Sequence, residues 1–343
     1  MTRCGSHQAG RQRRRSPRSR VGGASRQASS FHRAPTTREP RSLGPTPRPW
    51  TARLQAQARR TRDAPSRLEG CRSIRRGRGI VARMPSDGTR FDRQRVLITG
   101  GSRGIGRATA LLFAQRGARV AIGYQRDDAA AASTLAALPD VPSGSHTSIR
   151  ADLADPAQVE HLVDAACSAL GGLDVLVGNA GIGGRHRIDE DDYATWQAAW
   201  NRILAVNLVG SANLAYAAAR HMIASGGGRM VFISSRGAFR GEPDQPAYGA
   251  SKAGLNALAQ SLAQQLAPHG IGVGVVAPGF VETDLARDRL AGPAGDAIRA
   301  QSPLGRVAQP DEVARAAAFL ASADATFATG AILDVNGASY LRS

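Results

Sequence analysis

The chain has 343 residues and a formal charge of +18, from 45 Lys plus Arg against 27 Asp plus Glu. The excess sits at one end: residues 1–83 hold 22 Arg and three acids (Glu39, Asp63, Glu69), a net of +19, which leaves 23 basic and 24 acidic groups, a net of −1, for residues 84–343. A basic balance ordinarily points to nucleic acid or an anionic membrane, so here it says nothing about the near-neutral remainder, and the lack of any apolar run of 18 residues argues against a membrane span.

Residues 1–83 are rich in Arg, Ser, Pro, Gly and Ala, with Phe31 and Trp50 as their only aromatics, and cannot bury a core alone. Three readings compete for them: a translated stretch upstream of a start at Met84, an organellar transit peptide of the Arg-rich, acid-poor kind, or a disordered arm for RNA or DNA. The first is favoured, because Met84 opens a short polar lead to a clean first strand and because this stretch contains no Lys. No apolar secretory core follows Met1. The three cysteines (Cys4, Cys71, Cys167) form no CxxC pair, which supports neither a disulfide framework nor a zinc site and predicts a reducing compartment. We expect a disordered extension over 1–83 and a single domain over 84–343, whose 260 residues suffice for one core.

From residue 95 short apolar runs alternate with amphipathic stretches. The runs are Val96–Ile98, Val120–Ile122, Val175–Val177, Met230–Ile233, Val273–Val276 and Ile332–Val335. Runs apolar on both faces suit a parallel sheet covered on each side. Between them lie helical patterns such as Val159, Leu162, Val163, Ala166 and Leu170, introduced by Asp155-Pro156 as N-cap and first helical residue. The pattern predicts a doubly wound α/β domain of Rossmann type.

The first run leads into Thr99-Gly100-Gly-Ser102-Arg103-Gly104-Ile105-Gly106 and a helix through Leu111, Leu112 and Phe113. Glycines there let the backbone approach a pyrophosphate, which sits on the N–H groups opening the helix. The spacing is G-x-x-x-G-x-G rather than G-x-G-x-x-G. An NAD site requires an acid at the end of the second strand, for the ribose 2′-OH. Here that strand ends Gly123-Tyr124-Gln125-Arg126, so Tyr124 would not repel a 2′-phosphate and Arg103 and Arg126 are its candidate partners. NADP is expected over NAD, with Asp127 the acid that would serve NAD.

Tyr248-Gly-Ala-Ser-Lys252 places a phenol and an ammonium at i and i+4, on one helix face, where Lys252 is expected to depress the Tyr248 pKa and make it a proton donor near neutrality. Lys252 is the only lysine in a chain with 44 Arg. A compact charge that leaves room for a sugar hydroxyl is a physical reason to keep it.

From about Arg95 to Ala338 the chain resembles the short-chain dehydrogenase/reductase family. Besides the glycine turn and Tyr248/Lys252 it has Asn179-Ala-Gly181, Asn207 in Ala-Val-Asn-Leu, Ser234-Ser235, Pro278-Gly279 with Thr283, and Asp334-Val-Asn-Gly337. The resemblance implies a mostly seven-stranded parallel sheet, Tyr248 as general acid/base, Ser235 holding the substrate carbonyl, Lys252 also binding the nicotinamide ribose, and Asn207 organising a proton-relay water. It implies cofactor contacts at Gly100, Ser102, Arg103, Gly104, Ile105, Gly106, Arg126, Asp152 at the adenine, Asn179, Tyr248, Lys252, Pro278, Gly279 and Thr283 near the nicotinamide amide. Ser234 is the neighbouring alternative to Ser235, but Ser235 stands 13 residues before Tyr248, the spacing the family favours. A cytoplasmic homotetramer is also implied, organellar only if residues 1–83 are a transit peptide.

The body looks most like the 3-oxoacyl-[acyl-carrier-protein] reductase branch, yet His269-Gly270 stands where that branch usually has a basic docking residue, and Gly178 and Gly274 replace common asparagines. The histidines 146, 161, 186, 221 and 269 lack ligand spacing, and Asp189-Glu-Asp-Asp192 reads as solvated acids at a helix N-terminus rather than a calcium loop. No metal is expected. Arg185 and Arg187 read as loop residues, with an anionic substrate group the alternative. The small residues Ala250, Ala253, Gly254 and Ala257 suit close packing against a second subunit, and the loop from Gly279 to Arg306 is expected to close over the substrate. The sequence predicts an NADP(H)-dependent oxidoreductase interconverting a small-molecule ketone and a secondary alcohol, with a 3-oxoacyl thioester as one substrate class. The alternatives are an NAD-dependent sugar or alcohol dehydrogenase, a cofactor-binding regulator without turnover, and a nucleic-acid binder using the basic arm. The complete Ser/Tyr/Lys/Asn set disfavours the regulator and the near-neutral body disfavours the nucleic-acid binder.

Overall fold

A computed structural model describes residues 90–284 and 286–342, so the 1–83 extension and its boundary at Met84 lie outside the described residues. Seven parallel strands, β1 (Arg95–Thr99), β2 (Arg119–Tyr124), β3 (Thr147–Arg150), β4 (Val175–Gly178), β5 (Gly228–Ile233), β6 (Ile271–Pro278) and β7 (Ile332–Val335), form one sheet in the order β3-β2-β1-β4-β5-β6-β7. All eight residues of β6 are buried, as a strand covered on both faces requires. The six apolar runs correspond to six of these strands. The seventh, β3, is an edge strand of four residues, none of them buried, so its Thr-Ser-Ile-Arg carries no apolar run.

The longer helices are α1 (Gly104–Gln115), α2 (Asp128–Ala137), α3 (Pro156–Leu170), α4 (Tyr193–Leu204), α5 (Gly210–Ser225), α6 (Pro246–Leu266), α7 (Gly292–Arg299) and α8 (Pro310–Ala321). Alternating side chains divide the interior in two. Leu97 joins Leu162, Leu176, Leu214, Phe232 and Leu255 under α3, α5 and α6, whereas Val96 and Ile98 join Phe113, Val177, Val231 and Val313 under α1 and α8. Asp155 caps α3 as expected, accepting from the Ala157 N–H at 2.9 Å. Between α4 and α5 the helix widens into a π-helical segment, Ala205–Val209, the kind of irregularity that often marks a functional position. The stretch expected as a loop between Gly279 and Arg306 instead contains a helical turn, Arg287–Leu290, and α7.

Strand order reverses between β1 and β4, both paired with register Val96↔Val175 and Ile98↔Val177. The crevice outside their C-terminal ends is where such sheets bind ligands.

Candidate active site

Gly100, Asn179, Ser234 and Gly279 directly follow the C-terminal ends of β1, β4, β5 and β6, and Ser235 comes next after Ser234. Gly100 and Gly104 have φ of +64° and +54°, in the left-handed region that disfavours side chains. At Gly106 a Cβ would lie 2.1 Å from the Gly100 carbonyl oxygen, so the turn closes only around a bare backbone. Asn179, at the end of β4, ties the turn down: its Nδ2 donates to the Thr99 and Gly100 carbonyls at 2.9 and 3.2 Å. The Thr99 hydroxyl accepts from the Asn179 and Ala180 N–H groups at 3.1 Å each. Arg103 is the N-cap of α1 but makes no side-chain cap bond, which leaves the first helical N–H groups facing the crevice. Across it, a Cβ on Gly104 would lie 3.2 Å from Thr283 Cγ2. This bare cradle at an uncapped helix N-terminus fits a dinucleotide pyrophosphate.

Asp152, expected at the adenine, accepts through its carboxylate from Gln125 Nε2 at 2.7 Å and from the Ala154 N–H at 3.0 Å. The Tyr124 phenol hydrogen-bonds Asp128, which pushes its pKa up. Asp127 caps α2 by accepting from the Ala130 N–H at 2.9 Å, which occupies the acid that would otherwise serve a ribose hydroxyl. Arg103 and Arg126 are exposed, and neither forms an ion pair among the described residues. A third cation, Arg150, is in register with Tyr124 and donates from Nε to the Gln125 carbonyl at 3.0 Å. It was missed in the sequence because β3 itself had no apolar signal.

Ser235 follows β5. Its hydroxyl accepts from the Gly237 N–H at 3.0 Å and hydrogen-bonds the Tyr248 phenol. Ser234 instead donates to the Lys252 carbonyl at 3.2 Å, so it serves helix packing. Lys252 is buried, donates from Nζ to the Ile233 carbonyl at 2.8 Å, and lies 5.8 Å from the Tyr248 ring centroid. Asn207, fully buried in the π segment, donates to the Ile182 carbonyl at 2.9 Å and the Ser251 hydroxyl at 3.0 Å, and accepts from the Ile182 N–H at 2.8 Å. A Cβ on Gly181 would lie 3.1 Å from Lys252 Nζ and 3.4 Å from Asn207 Oδ1, so that glycine keeps the two side chains in one pocket. At the end of β6, the Pro278 carbonyl accepts from the Arg236 N–H at 2.8 Å, and just beyond it the Gly279 N–H donates to the Val335 carbonyl at 3.0 Å.

Burial sets the electrostatics here. It pushes the Lys252 ammonium down to about 8. It also pushes the Tyr248 phenol up, against the hydrogen bond from Ser235. The expected depression of Tyr248 by Lys252 is therefore not what the structure has: the ammonium is drawn to the Ile233 carbonyl, and desolvation dominates both groups.

His186, dismissed as a metal ligand on spacing, is a buried member of the site. Its Nε2 accepts from the Ala247 N–H at 3.0 Å at the start of α6, and its Nδ1 pairs with the Gly184 carbonyl at 2.8 Å. That pattern fixes an Nδ1-protonated neutral ring which caps the helix carrying Tyr248. A lone histidine in a loop gives no sequence signal for this. The acids 189–192 are accounted for: Asp192 caps α4 through the Thr195 N–H at 2.7 Å, Glu190 pairs with Arg185, and Arg187 pairs with Asp189 and with Asp244 at 3.0 Å. Those two arginines are thus engaged in the loop. No cluster of metal-ligating side chains occurs among the described residues.

With this geometry in place, comparison with known proteins is direct. A family model described as enoyl-(acyl carrier protein) reductase matches residues 100–338. The chain is 41% identical over 260 residues to cis-4-hydroxycyclohexanecarboxylate dehydrogenase of Sinomonas cyclohexanicum, covering 73% of this chain and 98% of that one. It is 38% identical over 258 residues to the 3-oxoacyl-[acyl-carrier-protein] reductase of Escherichia coli, covering 73% and 99%. Among solved structures, a short chain dehydrogenase from Burkholderia cenocepacia in complex with NADP superposes with a TM-score of 0.67 at 35% identity, over 73% of this chain and 99% of that one. The chain belongs to the short-chain dehydrogenase/reductase family. It is an oxidoreductase of that family, acting on CH–OH and ketone groups with a nicotinamide dinucleotide.

Proposed function

We propose that this enzyme uses NADP(H) in preference to NAD(H) to interconvert a secondary alcohol and a ketone on a small molecule, with Tyr248 as general acid and base. The observation that carries the reading is the convergence of Ser235, Tyr248, Lys252 and Asn207 on one pocket beside the glycine cradle. Gly100, Ser102, Arg103, Gly104, Ile105 and Gly106 would hold the pyrophosphate side of the dinucleotide, Asp152 the adenine, and Asn179, Pro278, Gly279 and Thr283 the nicotinamide side. When bound, the nicotinamide supplies the carbon that gives or takes the hydride. Ser235 orients the substrate oxygen by hydrogen bonding. In reduction the Tyr248 hydroxyl donates its proton to that oxygen as negative charge develops, and in oxidation the phenolate takes it back. Lys252, held by the Ile233 carbonyl one helical turn from Tyr248, binds the ribose. Asn207, in the widened π segment, organises the water that returns the proton.

Cofactor preference follows from the end of β2. Tyr124 replaces the acid, Asp127 is engaged as a cap, and the exposed Arg103 and Arg126, with Arg150 nearby, offer charge to a 2′-phosphate. NADPH is expected to bind at least about tenfold more tightly than NADH, and Arg103→Ala to weaken NADPH about tenfold while sparing NADH. Fluorescence titration of both cofactors checks this, and tighter NADH binding overturns it.

For the substrate we favour a small hydroxy compound or ketone, as for the hydroxycyclohexanecarboxylate dehydrogenase. A 3-oxoacyl thioester is the second reading, favoured by the 38% identity to the acyl-carrier-protein reductase, but His269-Gly270 ahead of β6 offers no strongly basic docking residue. An NADPH absorbance assay over cyclic ketones, ketoacyl thioesters and sugars decides between them. We place this activity in residues 84–343 and propose a cytoplasmic homotetramer. Ala250, Ala253 and Ala257 leave a small, exposed face on α6 for a second subunit. Light scattering that gives a monomer mass would sink that assembly.

A further inference from the structure

Tyr248 stands in the first turn of α6, where a helix leaves its N–H groups without intrahelical acceptors. Gln245, the N-cap, makes no side-chain cap bond, and Pro246 at the first helical position has no N–H. The next donor is the Ala247 N–H, beside Tyr248, and its acceptor lies outside the helix: His186 Nε2, at 3.0 Å. The Tyr248 N–H itself donates to the Gln245 carbonyl at 3.0 Å. The turn that carries the phenol is therefore tied to the loop after β4 through one imidazole.

His186 is only 1% exposed. Its Nδ1 pairs with the Gly184 carbonyl at 2.8 Å, and the Trp196 ring meets it edge-on with centroids 5.6 Å apart, so the plane of the imidazole is fixed. The same loop is sewn to the residues before Tyr248 at two further points. The His186 N–H donates to the Asp244 carbonyl at 2.8 Å, and Arg187 Nη1 to the Asp244 carboxylate at 3.0 Å. A Cβ on Gly183 would lie 2.9 Å from Gln245 Oε1 and 3.6 Å from Tyr248 Cδ2, so the loop runs close past the phenol ring. At the other end, both backbone polar atoms of Ile182 bond Asn207, at 2.8 and 2.9 Å. Residues 182–186 thus reach from the Asn207 amide to the turn that holds Tyr248.

We propose that His186 is a positioning residue for proton transfer: residues 182–186 form a strut that sets the Tyr248 hydroxyl relative to Asn207, and the imidazole is the joint at its far end. The inference rests on the general-acid role of Tyr248 given above. Histidine suits the joint because a neutral ring donates from one nitrogen and accepts at the other. Without the acceptor, the buried Ala247 N–H must find another partner, and the first turn moves to do so. A shift of about 1 Å is enough to cost up to about 10²-fold in rate.

The test compares His186→Met with His186→Gln in the full chain. The two side chains have similar length, and only glutamine offers an oxygen to the Ala247 N–H. With the best-accepted ketone of the absorbance panel, kcat is expected to fall at least about tenfold in His186→Met and to stay within about threefold of wild type in His186→Gln. NADPH affinity should stay within about twofold in both. A general loss of stability would not change which step limits turnover, whereas a displaced phenol slows the proton step, so the solvent deuterium isotope effect on kcat should rise in His186→Met alone. Should that variant fail to fold, His186→Asn replaces it with the same expected losses, since its amide keeps the Gly184 bond and falls short of Ala247. In the unsubstituted chain, hydrogen exchange at the Ala247 and Tyr248 amides should be slow, as for a tied helix end. Equal turnover in the Met and Gln variants, an unchanged isotope effect, or fast exchange at those two amides would each overturn the proposal. Turnover lost in Tyr248→Phe but kept in His186→Met overturns the strut alone, and turnover kept in both overturns the general-acid role with it.

Discussion

The cofactor side of the crevice and the segment that faces it, residues 279–306, are built on opposite terms. The first is held by buried groups whose neighbours are mainly backbone: Asn179 on the Thr99 and Gly100 carbonyls, Lys252 on the Ile233 carbonyl, Asn207 on both polar atoms of Ile182. The second is pinned at its surface by arginine–carboxylate pairs close in sequence, Arg287 with Asp284, Arg299 with Asp296 at 3.0 Å and Arg306 with Glu312 at 2.7 Å. Exposed pairs of that kind are each worth about 0–1 kcal/mol, whereas a buried polar group that loses its partner costs about 1–3 kcal/mol. The residues proposed to carry the chemistry therefore lie on the side that cannot relax, and the segment proposed to close over the substrate is the side that can.

The largest effect should come from the centre of the rigid side. Tyr248→Phe removes one hydroxyl from a packed ring, so cofactor affinity is expected to stay within about twofold while turnover falls by at least about 10²-fold, as for loss of a general acid. Steady-state kinetics with any accepted substrate checks it, and unchanged turnover would move the chemistry elsewhere.

Lys252 gives a pH signature. Its folded pKa of about 8 lies below the ordinary 10.5, so between these values the unfolded chain binds the proton and the folded one does not. Stability contributed by this group must then rise with pH through that window, by up to about 3 kcal/mol. The buried Cys167 thiol, pushed up to about 11 from 9.0 by burial, works in the opposite sense, because the unfolded chain loses its proton first. The comparison that isolates the lysine is therefore wild type against Lys252→Met in urea melts from pH 8 to 10. Wild-type stability that does not gain on Lys252→Met as pH rises would show that the ammonium is not desolvated as the structure has it.

Gly106→Ala comes next. The added methyl meets the Gly100 carbonyl oxygen at 2.1 Å, and the turn must shift at a cost of about 1–3 kcal/mol. NADPH affinity should fall together with stability, because the same backbone forms the cradle. A variant with reduced melting temperature and unaltered NADPH affinity would separate the turn from the cofactor.

The difference between the two sides also explains what was legible in the sequence. The glycine turn, Asn179 and the Tyr248/Lys252 pair were readable because each obeys a local rule: backbone clearance, a strand end, a helix repeat. The β3 strand was not, since an edge strand without apolar residues has no period to detect, and Arg150 went unnoticed with it. His186 was not readable either, because its partners, the Gly184 carbonyl and the Ala247 N–H, are brought together only by the tertiary fold. The sense of the Tyr248 shift was misjudged for a related reason. Helical spacing says that a lysine is near, but it does not say that a strand carbonyl holds the ammonium or that burial outweighs it.

The smallest effect should come from the facing segment, and it sharpens the contrast because the backbone conformation is nearly the same. Gly305 has φ of +65°, almost that of Gly100, but a Cβ there would meet nothing within 4 Å. Gly305→Ala therefore carries only the left-handed backbone penalty, roughly 1–2 kcal/mol, reduced by about 0.4–1 kcal/mol through the lower entropy of the unfolded chain. The net loss should be about 1 kcal/mol or less, a fall in melting temperature of roughly 2–4 °C for a domain of this size. NADPH affinity should not change, since no atom of the cradle moves. If Gly305→Ala weakened NADPH as much as Gly106→Ala, the two sides would be coupled through the backbone, and the division between a rigid catalytic side and a yielding substrate side would fail.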